Sequence, residues 1–143
     1  MATSTLKSDG TGDYVSIITW ESARQGTLTE PEILECYKGT TVNDAWQADG
    51  SLAEAVYVAG WTTTQTNNLT IRAAAGEGHG GVPGAGFMLG YALTGEDVLE
   101  VELAPYTVLE DLHIINKSTA ASNNTHAVTL DDSINILVNR CIF

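Results

Sequence analysis

From Gly26 onward the chain is a succession of short apolar runs separated by loops rich in Gly, Thr, Asn and Asp. The runs are EILECY (32–37), AEAVYVA (53–59), LTIRAAA (69–75), GFMLG (86–90), VLEVELA (98–104), TVLEDLHII (107–115), HAVTL (126–130) and INILVNRCIF (134–143). These are strand lengths, and the loops between them carry no second helical pattern, so the chain is predicted to be β-rich.

Ahead of the runs stands one helical pattern. Asp13 is placed as an N-cap. Tyr14, Ile17, Ile18 and Glu21 then keep helical spacing with Ala23 beyond, and Gly26 fits the residue past the end. The spacing predicts a helix of about three turns. Its apolar stripe has to cover something, because a stripe of that size is not left in water.

The last third holds a faint repeat. VLEDLHII (108–115) lies over ILVNRCIF (136–143), matching Val108 to Ile136, Leu109 to Leu137, Asp111 to Asn139, Ile114 to Ile142 and Ile115 to Phe143. Arg140 then falls opposite Leu112, and His113 opposite Cys141. Asp and Asn tolerate the left-handed conformation that a sharp corner between strands needs. Strand, corner, strand and return after one coil is the pattern of a parallel β-solenoid. A sandwich with two similar strands gives the same pattern.

At 143 residues the chain has the length of one domain. It is 43% apolar, enough for a core, and carries a net charge of −12 because Lys and Arg number only 6. Lys7, Arg24, Lys38, Arg72, Lys117 and Arg140 are scattered, whereas phosphate-binding surfaces cluster their cations. Nucleic acid and anionic membranes are therefore not expected as partners. MATSTLKSDG lacks the pattern of a signal peptide. Cys36 and Cys141 lie in separate apolar runs, which predicts two buried thiols. Sequons at Asn68, Asn116 and Asn123 carry no weight without a secretory signal.

The stretch TLKSDGTGDYVSIITWESA resembles the start of right-handed parallel β-helix proteins, which open with a strand, a DGxGDY/F loop and a helix. Pectin methylesterases, pectate-lyase-like proteins and phage tailspikes share that opening. The longer DYVSIITWESARQGTLTEPEILECYKG, with RAAAGEGHGGVPGAGFML and YTVLEDLHII, resembles a group of bacterial and bacteriophage β-helix proteins that serve as virion or surface components. The resemblance implies an all-β fold, a right-handed parallel β-helix with one N-terminal capping helix. Residues 1–26 would form strand and cap and 27–143 the coils of a single domain, which is the N-terminal part of a longer solenoid if further coils follow. A solenoid exposes a raw apolar end at each terminus. Asp13, Tyr14, Ile17, Ile18 and Trp20 are read as the lid over the first, with Trp20 at its margin. Ile136, Leu137, Ile142 and Phe143 are read as the second, expected to be covered by further coils or by another subunit, with a trimer as the first expectation.

GHG (78–80) and DD (131–132) resemble polygalacturonase motifs, but in reversed order and without the remaining motifs, so a flexible Gly-rich loop and a solvated turn are preferred. AGEGHGGVPGAGF lacks the Lys-Ser/Thr of a phosphate-binding loop and reads as a long mobile loop. SDGTGD (8–13) reads as a turn ending in a cap rather than a calcium loop. His79, His113 and His126 share no ligand spacing with the cysteines. No catalytic residue, cofactor or metal ligand is assigned. Trp46 and Trp61, if exposed, offer glycan or subunit contacts, and if buried are core. The resemblance thus implies a non-enzymatic structural component of a bacteriophage virion, as tail fibre, tailspike or capsid decoration protein. It would act by assembling with itself and other virion proteins, with contact to a surface polysaccharide. The alternatives are the N-terminal part of a polysaccharide-degrading enzyme and an extracellular or cell-surface adhesin.

Overall fold

The computed structural model describes residues 1–91, 98–102, 104–118, 126–132 and 134–143. The chain is mostly β, with parallel sheets and one short helix. In chain order the elements are β1 (Ala2–Leu6), α1 (Ile17–Arg24), β2 (Glu32–Cys36), β3 (Ser51–Leu52), β4 (Val56–Val58), β5 (Leu69–Ala73), β6 (Met88–Tyr91), β7 (Leu99–Glu102), β8 (Thr107–Glu110), β9 (His113–Asn116), β10 (Val128–Asp131) and β11 (Leu137–Asn139). A first sheet has the order β1-β2-β5-β8-β11, a second β3-β6-β9 and a third β4-β7-β10. From β2 onward the chain visits first, second and third sheet in the same cyclic order until it returns to the first at β11.

Alternation fills the interior. On the first sheet the register stacks Ser4, Leu34, Ile71, Leu109 and Val138 in one row. On the third it stacks Val58, Val101 and Leu130, and on the second Leu52, Leu89 and Ile114. The buried apolar members of these rows join one core cluster with Ile17, Trp20, Trp46, Trp61 and Phe87. Each row places like over like, which is how parallel pairing buries near-continuous apolar runs.

The helix differs from its prediction. It begins after Ser16, whose side chain accepts from the Thr19 N–H at 3.3 Å, and has 8 residues, just over two turns. Asp13 is not the cap. Its carboxylate instead accepts from the backbone N–H and hydroxyl of Thr5 at 2.8 and 2.9 Å, which pulls its pKa down. This later start rotates the buried face. Ile17 and Trp20 are interior, while Ile18 is 46% exposed and Tyr14 only half-buried. Trp20 is a core residue rather than a marginal one.

The repeat also needs correction. Leu137 pairs with Val108 and Asn139 with Glu110, and Ile142 bridges His113, so the offset is one residue longer than the sequence alignment gave. The stacked corner is Asp111 (φ 56°) beneath Arg140 (φ 50°), and a second is Tyr106 (φ 54°) beneath Asn135 (φ 59°). Asp111 was read correctly as a left-handed corner, whereas Asn139 is a strand residue. A one-residue slip exchanges the two faces of a strand. Leu137 and Ile142 therefore belong to the outer rows of Val108 and His113, and the inner positions fall to Val138 and Phe143.

Cys36 is a free buried thiol, as predicted, while Cys141 is free and only half-buried. Burial pushes both pKa values up, so neither is a reactive thiolate at neutral pH. The sequon at Asn123 lies outside the described residues.

One polar cluster ties the second sheet together. Lys117 Nζ donates to Gln47 Oε1 at 2.9 Å, Asp49 Oδ2 at 2.7 Å and Ser51 Oγ at 2.7 Å. Gly90 leaves room for this side chain, since a Cβ there would meet Lys117 Cε at 2.7 Å. The Lys117 ammonium draws the Asp49 pKa from 3.8 to about 2. A lowered carboxylate pKa stabilises above its ordinary value and loses that contribution as pH falls through the folded one. Urea melts should thus show an acid-side loss between the two values that Lys117→Met reduces, the Ser51 N–H and hydroxyl still holding the carboxylate. Because Asp49 is half exposed, the same change should cost only about 1 kcal/mol or less at pH 7.

Candidate functional site

Two features stand apart from the core: a charged cleft on the first sheet and an apolar end that nothing described here covers. The cleft is built on the outward row Thr5, Glu35, Arg72, Glu110 and Asn139. Cross-strand neighbours on one face are close enough for side chains to pair. Arg72 Nη2 lies 2.6 Å from Glu35 Oε1, and Asn139 Nδ2 donates to Glu110 Oε1 at 2.9 Å. One corner further on, Arg140 grips Asp111 with two bonds of 2.7 and 2.8 Å and reaches Glu110 at 3.0 Å. The Arg140 guanidinium holds the Asp111 carboxyl below its ordinary pKa. With Ala73–Gly76, Gly78 and Gly80 these residues line a cleft of about 470 Å³.

The cleft is lined by paired charges. The carboxylates of Glu35, Glu110 and Asp111 each have an arginine partner. A general acid needs a carboxyl that keeps its proton near neutral pH, and Asp111, held low by Arg140, is not one. GHG and DD do not come together. His79 is buried against Arg140 beyond β11, while Asp131 ends β10 opposite Glu102 in the third sheet. Among the described residues no group of three or more His, Cys, Asp or Glu side chains is arranged to hold a metal ion.

The Gly-rich loop is closed by its own hydrogen bonds rather than splayed out. Glu77 N–H donates to Ala74 O, Val82 N–H to His79 O and Phe87 N–H to Glu77 O at 2.8, 2.9 and 2.7 Å. Lys38 Nζ reaches Gly84 O at 3.2 Å, and Lys38 N–H donates to Glu77 at 3.1 Å. Trp46 and Trp61 are 2% and 3% exposed, which removes both as stacking platforms. Trp46 meets Phe87 edge-on and donates to Val15 O at 2.9 Å; Trp61 lies 5.3 Å from Trp20. Trp61 Nε1 has no hydrogen bond of ordinary geometry, although the Glu21 carboxylate is near enough to feel it.

The two ends of the sheets are unlike. At the β1, β3 and β4 edges other segments intervene. Tyr14 bridges Leu6, Trp46 bridges Leu52, and Glu21 of α1 accepts from Ala59 N–H at 3.3 Å. Two buried carboxylates, invisible to periodicity, fasten the helix there. Glu54 accepts from Ile17 N–H at 2.9 Å, and burial raises its pKa. Glu32 takes Arg24 at 3.1 and 2.7 Å and Trp20 Nε1 at 3.3 Å. At the opposite end Leu130, Val138 and Phe143 continue the three inner rows and are exposed. With Ala127 and Val128 they line an apolar hollow of about 450 Å³. Of the four residues predicted for this end, Phe143 is placed in it, Leu137 is exposed on the outer row, and Ile136 and Ile142 are half-buried.

Compared with known proteins, the chain matches no family description, no curated protein and no solved structure.

Proposed function

We propose that this chain is a non-enzymatic structural component of a bacteriophage virion, built as a right-handed parallel β-helix that assembles through its open end. The single observation that carries the reading is the inequality of the two ends: one closed by α1 and bridging segments, the other presenting Leu130, Val138 and Phe143. The cyclic visiting of three parallel sheets supports the winding. Crossovers between parallel strands of one sheet are right-handed in nearly all proteins, which supports the hand.

We take the cover of this end to be a second copy of the chain, further coils of a longer chain being the other way to close it. Whatever covers it has to supply strands to three sheet edges of one outline and apolar residues to their centre, and a copy of the same cross-section has both. Further virion proteins then meet the outer faces. With Trp46 and Trp61 interior, the paired arginines and carboxylates of the first-sheet cleft are the polar surface left for a polysaccharide. Those same ion pairs argue against the enzyme reading. Antibodies against the chain should label phage particles in electron micrographs of lysates from bacteria carrying its gene. Label found only in the soluble fraction would overturn the proposal.

A further inference from the structure

Two histidines hold the Gly-rich loop from the same side of the chemistry. His79, buried within the loop, accepts the Gly81 N–H on Nδ1 at 2.8 Å, and its Nε2 lies 2.6 Å from the carbonyl oxygen of Arg140. An Nδ1 that accepts leaves the ring proton on Nε2, which therefore donates to that carbonyl. His113, buried on β9, accepts the Gly84 N–H on its own Nδ1 at 3.2 Å. Both bonds need a ring nitrogen with a free lone pair, which only neutral imidazole has.

We infer that residues 75–87 form an acid-released latch, closed while His79 and His113 are neutral and opened when their Nδ1 atoms take up protons. A protonated Nδ1 points a hydrogen at the N–H it had accepted, so each contact turns from attraction to repulsion. A positive His79 opposes charge on His113, so carrying both charges is costly while the loop is closed and is relieved when it opens. Burial also lowers the His113 pKa. A histidine whose folded pKa is depressed contributes stability above its ordinary value of 6.5 that is lost as pH falls.

The charged groups around the latch are already committed. Asp111 faces His79 but is gripped by Arg140, and Glu110 shares the same guanidinium. Glu77 accepts the Lys38 N–H, and Lys38 Nζ is bonded to Gly84 O. The strand neighbours of His113 in the register are Met88 and Ile142, which offer no counter-charge. The latch reaches two places at once. Gly76, Gly78 and Gly80 line the first-sheet cleft, and the Arg140 carbonyl belongs to the last left-handed corner before Phe143. Acid would therefore widen the cleft and loosen the corner that leads to the open end. This inference is independent of the virion reading.

The test is amide hydrogen exchange at Gly81 and Gly84, followed by NMR together with both histidine rings from pH 8 to 5. Protection factors at both glycines should fall by about tenfold per pH unit for each histidine protonated, in step with the ring titrations. In His79→Asn/His113→Asn a side-chain oxygen replaces each accepting nitrogen, and protection should not change with pH. Three results would overturn the latch: rings that titrate while both glycines stay protected, rings that stay neutral to pH 5, or a folded double variant that still opens in acid.

Discussion

Ile17→Asp should lower the unfolding free energy by about 3–5 kcal/mol, the range for an uncompensated buried charge. Ile17 is 1% exposed, and its N–H already donates to the buried Glu54 carboxylate at 2.9 Å. A second carboxylate there finds no cation among its described contacts and stands beside one of its own sign. Both effects raise the carboxyl pKa, so the defect should shrink as pH falls from 7 towards 4. Ile17→Val removes one methylene and should cost only about 0.5–1.5 kcal/mol. Urea denaturation followed by circular dichroism separates the two variants. A melt unchanged by Ile17→Asp would mean that the helix covers nothing.

Trp20→Ala should cost about 3–5 kcal/mol through cavity formation. The ring is fully buried, tilted at 30° to Trp61, and its Nε1 donates to Glu32. Truncation removes that donor as well and leaves Glu32 with fewer partners. Ile18→Ala, two residues earlier on the predicted stripe, should stay within about 0.5 kcal/mol because Ile18 projects into solvent. The pair measures the phase of the helix: equal effects would place the stripe where periodicity alone put it.

Much of the fold was legible because its local signals are strong. Leu34, Ile71, Leu109, Val101 and Leu89 were all within predicted strand runs, and each is buried in a named strand. The corner at Asp111 was legible from chemistry, since Asx residues accept positive φ. Its partner was not, because Arg140 is an unusual left-handed residue, held there with its guanidinium on Asp111. That one-residue slip hid which residues form the open end. The helix was found but mis-phased, because Asp13 and Ser16 are both plausible caps, and the choice is made by Thr5 and Glu54 across the fold.

The cleft went unseen for another reason. Glu35, Arg72 and Glu110 are neighbours only through a register spanning separate turns of chain of unequal length. One signal was available. Leu34-Glu35-Cys36 and Ile71-Arg72-Ala73 put a charge between two residues of the inner rows, Leu109-Glu110 begins the same way, and stacking the runs on that pattern brings the charges together. Trp46 and Trp61 show the opposite limit, because flanking sequence does not tell an aromatic in a covering segment from one on a surface.

In the proposed assembly a second copy of the chain covers the end that carries Leu130, Val138 and Phe143. Sedimentation equilibrium of the 143-residue chain tests it most directly. The proposed joining predicts a discrete homo-oligomer, an end-to-end dimer being the size that two copies sharing their open ends give. It also predicts that Leu130→Asp/Phe143→Asp, at two exposed end positions, yields a folded monomer. A wild-type chain that sediments as a single monomer at high concentration, with Phe143 in solvent, would contradict it.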